Sequence, residues 1–227
     1  MTVKKLWTAL LVAAMMAVSV QADFIRIEGA VGAMFAEPGG SFELPGGNDL
    51  ELKDDLGIDT QTDLYFWAFL KHPLPVVPNV RIEYLGLNHD PDGADSFRVN
   101  EVDGILYYNF LDNLLWITLD VGLDIKYVTT DSDTMDSENT SLGLLYGRLR
   151  FEPLDWLGIE TVVTATNYSD NKGYDARLKI DGTLTFVPLI QPAVELGYRI
   201  HKIQYKLGDV IDKGEYSGIY AGVMVRF

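Results

Sequence analysis

The sequence predicts an all-β chain: an antiparallel transmembrane β-barrel of about ten strands in meander order, with a count of eight left open. Three observations carry that reading. Apolar and polar residues alternate with period two along one stretch after another. The links between stretches fall into two classes, short ones rich in Pro, Asp and Asn and longer acidic ones. Beyond residue 22 no run of 18 apolar residues occurs, so any membrane crossing falls to strands rather than to a helix.

The two ends of the chain frame the elements. Lys4 and Lys5 precede an apolar run, Leu6 to Val20, and Val20-Gln21-Ala22 reads as a small-residue cleavage site. The run is about 15 residues, short of the roughly 20 a spanning helix needs. The expectation is a secretory signal over residues 1–22 and a barrel over residues 23–227. The last stretch, YSGIYAGVMVRF, sets Phe227, Val225, Val223, Ala221 and Ile219 on one face and Arg226, Met224, Gly222, Tyr220 and Gly218 on the other.

Composition bounds the chemistry. The chain carries no Cys, which excludes disulfides, thiolate metal sites and a Cys nucleophile. Without the two lysines of the signal, 16 basic residues face 33 acidic ones, a formal charge of −17. That balance argues against a nucleic-acid partner, which wants basic patches.

From Asp23 the elements follow in order. Ile25, Ile27, Val31 and Ala33 oppose Arg26, Glu28, Ala30 and Gly32. Thr62 to Lys71 is apolar on both faces, so its sidedness stays open, and Pro73, Pro75 and Pro78 end it in a tight reversal. Val80, Ile82 and Tyr84 oppose Arg81 and Glu83. Phe97 to Phe110 precedes a short turn at Leu111-Asp112-Asn113. The next stretch sets Leu119, Val121, Leu123, Ile125 and Tyr127 against Thr118, Asp120, Gly122, Asp124 and Lys126. Tyr146, Arg148, Arg150 and Glu152 oppose Leu145, Gly147, Leu149 and Phe151, before a turn at Pro153–Trp156. Ile159, Thr161 and Val163 oppose Glu160 and Thr164; Leu178 and Ile180 oppose Arg177, Lys179 and Asp181. Val194, Leu196 and Tyr198 oppose Glu195, Gly197 and Arg199, and the terminal stretch completes the set.

An even count puts both termini on the periplasmic side, with short periplasmic turns and long outer loops. Only the link at Ser169 to Gly173 is short where a long one is expected. The apolar face is the wide one and carries aromatic residues toward strand ends, as at Tyr108, Phe110, Tyr127, Phe151 and Phe186. That is the pattern of a lipid-facing band with girdles, where a water-soluble barrel would turn its charged face outward. The opposite face mixes both charges. Aligning neighbours by their turns sets Asp120 against Arg148, and Arg148 or Arg150 near Glu160, a candidate lumen charge network.

The link from Ala36 to Gln61 is distinct. Phe42–Leu44 and Leu50–Leu52 flank Pro-Gly-Gly-Asn as a small hairpin, and LKDDLGI (Leu52 to Ile58) suits one helical turn.

The terminal alternation ending on Phe227, with Val225 and Val223 before it, resembles the insertion signal of bacterial outer-membrane barrels. LKDDLGI after the first strand, ILYYNFLDN, LLYGRLRF, an LGYR strand and the Phe-terminated strand together resemble a family of small Gram-negative outer-membrane β-barrel proteins of uncharacterised function. The resemblance covers most of residues 23–227. It implies a bacterial outer-membrane location, outer-membrane lipid and lipopolysaccharide as surroundings, and the barrel assembly machinery as a partner through the C-terminal strand. It carries over no catalytic residue.

Chemistry beyond the lumen is sparse. A lipid-cleaving site needs a Ser held by a His, and no spacing pairs Ser96 or Ser169 with His72, His89 or His201. His89, Asp90 and Asp92 resemble half of an omptin-like protease site, but the partnering Asp-x-His is missing from Ser169–Gly173. Two acidic loops offer oxygen ligands for a hard cation, through Asp90, Asp92 and Asp95 and through Asp131 and Asp133, against the plainer reading of solvated loops. The expectation is a monomeric, non-enzymatic barrel without cofactor, closed inside by charge pairs. A narrow cation-preferring pore or small-ligand carrier is the alternative, and a hydrolase at the outer mouth the third reading.

Overall fold

The computed structural model describes residues 25–91, 96–132, 137–168, 171–186, 190–207 and 209–227. The signal segment lies outside the described residues. The strands in chain order are β1 (Arg26–Gly39), β2 (Ser41–Leu44), β3 (Asn48–Glu51), β4 (Gln61–Lys71), β5 (Asn79–His89), β6 (Phe97–Leu114), β7 (Ile117–Ser132), β8 (Asn139–Leu154), β9 (Leu157–Tyr168), β10 (Asn171–Thr183), β11 (Gln191–Leu207), β12 (Val210–Asp212) and β13 (Glu215–Arg226). All strands but β2, β3 and β12 make a closed ten-stranded antiparallel barrel. Each barrel strand pairs with the next, and β1 returns to β13 from Glu28↔Arg226 to Gly39↔Glu215. Closure leaves no unpaired edge. The seam ends in two reciprocal bonds, Phe227 N–H to the Ile27 carbonyl (2.9 Å) and Ile27 N–H to that of Phe227 (3.4 Å).

The links at one end, the turn end, are residues 72–78, 115–116, 155–156 and 184–190; the other, the loop end, carries the longest link, residues 40–60, and also the short link 169–170 between β9 and β10, so length alone does not separate the two ends as the sequence suggests. Two turns lie further along than sequence suggests. β6 continues through Leu111-Asp112-Asn113, and the reversal falls at Leu115–Trp116, closed by Leu114↔Ile117. Register shifts after Asn109 and after Leu111 mark bulged pairing. Asp112 meets the Lys71 ammonium at 2.5 Å, so the polar triplet is a bulge held by a salt bridge rather than a turn. Leu115 and Trp116 both have positive φ (53° and 64°), the backbone of a two-residue primed turn normally filled by Asn-Gly. Likewise β8 runs to Leu154 and turns at Asp155–Trp156. The carbonyls of Trp116 and Trp156 accept bonds from Glu152 N–H and Thr183 N–H, both at 2.8 Å, which ties each turn to the strand beyond it.

At the loop end the first long link folds as expected. β2 and β3 form a hairpin across residues 45–47, and β12 joins it, pairing with β2 and with β11. One helical turn follows, with Gly57 N–H on the Lys53 carbonyl (3.2 Å) and Ile58 N–H on that of Leu52 (3.0 Å). Gly57 takes a φ of 64°, which only glycine adopts cheaply there. Leu52 and Ile58, at the ends of this turn, are fully buried.

The period-two pattern decides the two faces of the wall. Ile27, Val31, Leu64, Ile82, Leu106, Leu123, Ile125, Leu145, Leu178, Leu196 and Val223 are exposed on the outer surface. Aromatic residues flank them, with Tyr108, Phe110, Phe151 and Phe186 toward the turn end and Tyr127 and Tyr174 toward the loop end. The ambiguous stretch is settled: β4 sends Asp63, Tyr65, Trp67, Phe69 and Lys71 inward and Leu64, Phe66 and Leu70 outward. Tyr65 and Trp67 face in because their polar tips find a partner there, and the Phe69 ring lies 5.3 Å from the Arg148 guanidinium.

Candidate functional site

The lumen is the site, and it is layered along the axis. At the turn end a vestibule of about 530 Å³ is lined by Arg26, Trp116, Glu152, Gln191, Arg226 and Phe227, among others. Above it the four residues expected to meet do meet, and all are buried. Arg148 reaches Asp120 (2.6 Å) from its Nη1 and Glu160 (2.8 Å) from its Nε. Arg150 sits opposite Glu160 in register and contacts it at 3.3 Å.

The cluster is wider than sequence indicates. Arg150 forms a two-pronged pair with Asp181 (2.6 and 2.9 Å), and Arg226 binds the same carboxylate at 2.5 Å. Arg150 reaches β10 by lying across Gly158 of β9. A Cβ on Gly158 would stand 2.1 Å from Arg150 Nη2. Glu160 is the hub, with Lys179 at 3.4 Å and Arg81 at 4.0 Å besides the two arginines. Burial of so many charges is tolerable only because each carboxylate here has cations around it.

The middle layer adds rings. Arg81 and Lys179 lie 4.5 and 4.2 Å from the centre of the Trp67 ring, within cation–π range. Tyr65 Oη–H and Trp67 Nε1–H both donate to Glu195 Oε1 (2.7 and 3.1 Å). Tyr65 stands on β4 and Glu195 on β11, with β1 and β13 between them. Gly32 and Gly222, paired across that seam, leave the slot: a Cβ on either would come within 2.5 Å of the Tyr65 hydroxyl. A void of about 10 Å³, the size of one water, remains among Tyr65, Trp67, Arg81 and Glu160.

The next layer holds a second charged group. Lys126 binds Glu101 (2.8 Å) and Asp103 (2.8 Å), while His201 lies 3.2 Å from Glu101 and 3.1 Å from Asp175. Arg199 also pairs with Asp175. Beyond these the lumen becomes mainly apolar, with Asp63 and His89 as buried polar exceptions. Leu85, Leu87, Val99, Val128, Leu142 and Ile203 are buried in one cluster with Leu52 and Ile58. The first loop thus docks on the barrel by hydrophobic burial. A cap that must fold in water needs apolar surface to sit on, which is why the loop-end third departs from a polar interior. His89 stacks on Phe97 at 4.4 Å and meets the Tyr216 hydroxyl at 2.7 Å. Burial pulls the His89 imidazole down to about 4. In the cap, burial pushes the Asp212 carboxyl up to about 6 although Gly214 N–H bonds it.

The other candidates are scattered. Asp90 and Asp131 are exposed at the loop end, and Asp131 lies opposite Arg98 in register. Asp92, Asp95, Asp133 and Ser169 lie outside the described residues. Among the described residues no three His, Asp or Glu side chains are grouped to hold a metal ion. His72 is occupied within its turn, Nε2 facing the Pro78 carbonyl (3.1 Å) and Nδ1 the Leu74 N–H (3.1 Å). Val223 and Val225 lie on the outward side of β13, with Val223 exposed and Val225 half-buried.

No family model matches the sequence, and no curated relative matches it. Several solved structures are similar in shape. Neisserial surface protein A has a TM-score of 0.38 and 9% identity, covering 90% of this chain and 98% of its own. A Pseudomonas aeruginosa FadL homologue has a TM-score of 0.42 and 8% identity, with 94% and 92% covered. The translocator domain of the autotransporter NalP from Neisseria meningitidis has a TM-score of 0.43 and 12% identity, with 99% and 96% covered. Likenesses this distant transfer no activity or partner to this chain.

Proposed function

We propose that this chain is an integral barrel of the Gram-negative outer membrane with a structural or surface role and no enzymatic activity, its lumen closed by charge pairs. One observation carries the reading: the wall is apolar and aromatic outside and ionic, buried and filled inside. On β7 the outward residues from Ile117 to Tyr127 cover about 25 Å at roughly 3.4 Å per residue and a tilt near 40°, the height of a lipid-facing band. Beyond it the outward positions turn polar, as at Asn88, Asn100, Thr129 and Ser141. Lipid and lipopolysaccharide are then the surroundings, and the barrel works as a monomer.

Planar-bilayer recording tests the closed lumen. The parent protein is expected to pass no steady current in salt solution, and a steady cation current overturns the reading. The open vestibule at the turn end favours a second reading, a carrier for a small solute entering from the periplasmic side, which the same experiment separates from a pore.

The C-terminal strand is the proposed handle for the assembly machinery. Deleting Phe227 removes that ring and both bonds that end the seam. The shortened protein is expected to lose most of its folded yield in the outer membrane, read as loss of the heat-modifiable band on gels. Yield equal to the parent's removes the handle from Phe227.

A further inference from the structure

The floor of the turn-end vestibule gathers three guanidinium groups on one carboxylate oxygen. Arg150 Nε, Arg26 Nη2 and Arg226 Nη1 lie 3.0, 3.4 and 3.9 Å from Glu152 Oε1. These contacts are loose beside the ones that hold the same arginines from behind. Arg26 meets Glu28 at 2.5 Å, and Arg150 and Arg226 meet Asp181 at 2.6 and 2.5 Å. Arg150 is 1% exposed and Arg226 8%, and the Nε–H of each has no hydrogen-bond partner among the described residues. Glu152 at 3.0 Å from the first and Glu28 at 3.3 Å from the second lie off the N–H directions. Buried charged donors call for acceptors, and one oxygen shared three ways does not supply them. We infer that the vestibule floor binds a small organic phosphate, whose oxyanion replaces the Glu152 carboxylate among Arg26, Arg150 and Arg226 and whose organic part lies against Trp116.

Moving Glu152 aside disturbs the floor little. Its side chain is 20% exposed, and each arginine keeps its short partner behind. Glu160 stays held by Arg148 and Lys179. Arg26, Arg150 and Arg226 then face only Glu28 and Asp181 at close range, a balance that attracts an anion. A phosphate ester presents three free oxygens, and guanidinium groups bind such oxygens in pairs. A carboxylate presents two, as Glu152 already does.

The cavity around the floor, about 530 Å³, has room for more than a bare phosphate. Ile25, Trp116 and Leu154 give it an apolar side, and Asn113 and Gln191 a polar one. Trp116 is held there under strain. Among the described residues the non-glycine positions with positive φ are Asn113, Leu115 and Trp116, and a bulky residue with that backbone is an outlier. Strain of this kind clusters at ligand sites. The same turn places the carboxylate, because Glu152 N–H bonds the Trp116 carbonyl at 2.8 Å. The site rests on the second reading above for the open vestibule alone, and needs no passage through the barrel.

Isothermal titration calorimetry of the folded protein in detergent micelles tests the site, with phenyl phosphate, inorganic phosphate and phenol as probes. Phenyl phosphate is expected to bind one to one, inorganic phosphate more weakly, and phenol not at all. Glu152→Gln removes the competing charge, so it is expected to bind phenyl phosphate roughly tenfold tighter. Arg26→Gln is expected to bind it roughly tenfold more weakly, the loss of one charge-assisted hydrogen bond. Leu115→Asn/Trp116→Gly relieves the turn. That variant is expected to unfold at higher urea than the parent, yet to bind phenyl phosphate no better than inorganic phosphate. No binding of phenyl phosphate by the parent overturns the site, as does unchanged or weaker binding by folded Glu152→Gln. Undiminished binding by Arg26→Gln overturns it too, and a preference for phenyl phosphate kept by the turn variant overturns the part given to Trp116. None of these outcomes touches the closed lumen, which conductance reads.

Discussion

Replacing Arg148 and Arg150 together by alanine is expected to destabilise the barrel more than any other pair of substitutions at this layer. Breaking a buried ion pair by removing one partner costs on the order of 3–5 kcal/mol, because the abandoned charge stays desolvated. Here the abandoned groups differ. Asp181 keeps Arg226 at 2.5 Å, and Glu160 keeps Lys179 at 3.4 Å. Asp120 keeps only Asn109, a neutral donor. Most of the loss is therefore expected from Arg148→Ala. The double variant should cost more than the sum of the two single ones, since in each single variant the remaining arginine still serves Glu160. Adding Asp120→Asn to Arg148→Ala should recover a large part. Urea titration in lipid vesicles measures all four. A double variant within about 0.5 kcal/mol of the parent would mean that the network adds nothing. The double variant is also the one expected to admit cations, since two long side chains leave the layer directly above the vestibule.

That network shows what sequence makes legible and what it hides. The parity of Asp120, Arg148, Arg150 and Glu160, with turn-based alignment, is enough to bring them together, because period two and antiparallel register are local rules. Asp181 reaches the same network through a contact that skips a strand. It depends on Gly158 having no side chain, and a single glycine in a strand gives only a faint signal of close approach. The Tyr65–Glu195 bond hides the same way, two glycines deep in the seam. The bulge at Asp112-Asn113 reads as a turn because its composition is that of a turn; Lys71, some 40 residues earlier in the chain, meets Asp112 from within the lumen. Of the cap, sequence makes legible the small hairpin around Pro-Gly-Gly-Asn and the helical turn at LKDDLGI, but not what they dock on. That Leu52 and Ile58 bury against Leu85, Leu87 and Val99 depends on loop docking, which no periodicity records.

The inside–outside assignment itself is testable on one strand. Leu123 lies outward at mid-belt on β7 and is 63% exposed. Thr129 shares its face six residues on, past the Tyr127 ring. If lipid surrounds the belt, Leu123→Arg places a guanidinium near the bilayer centre and should cost roughly 2–4 kcal/mol, whereas Thr129→Arg sits near the interface and should cost about 0–1 kcal/mol. In water the ranking would vanish, because an exposed Arg is close to neutral wherever it stands on a strand. Reversible unfolding in vesicles gives both numbers on the same scale. The contrast also reports depth: Val121→Arg, one outward position nearer the turn end, should fall below Leu123→Arg if Leu123 marks the middle. Equal losses at Leu123 and Thr129 would remove the lipid from around this wall, and with it the outer-membrane reading.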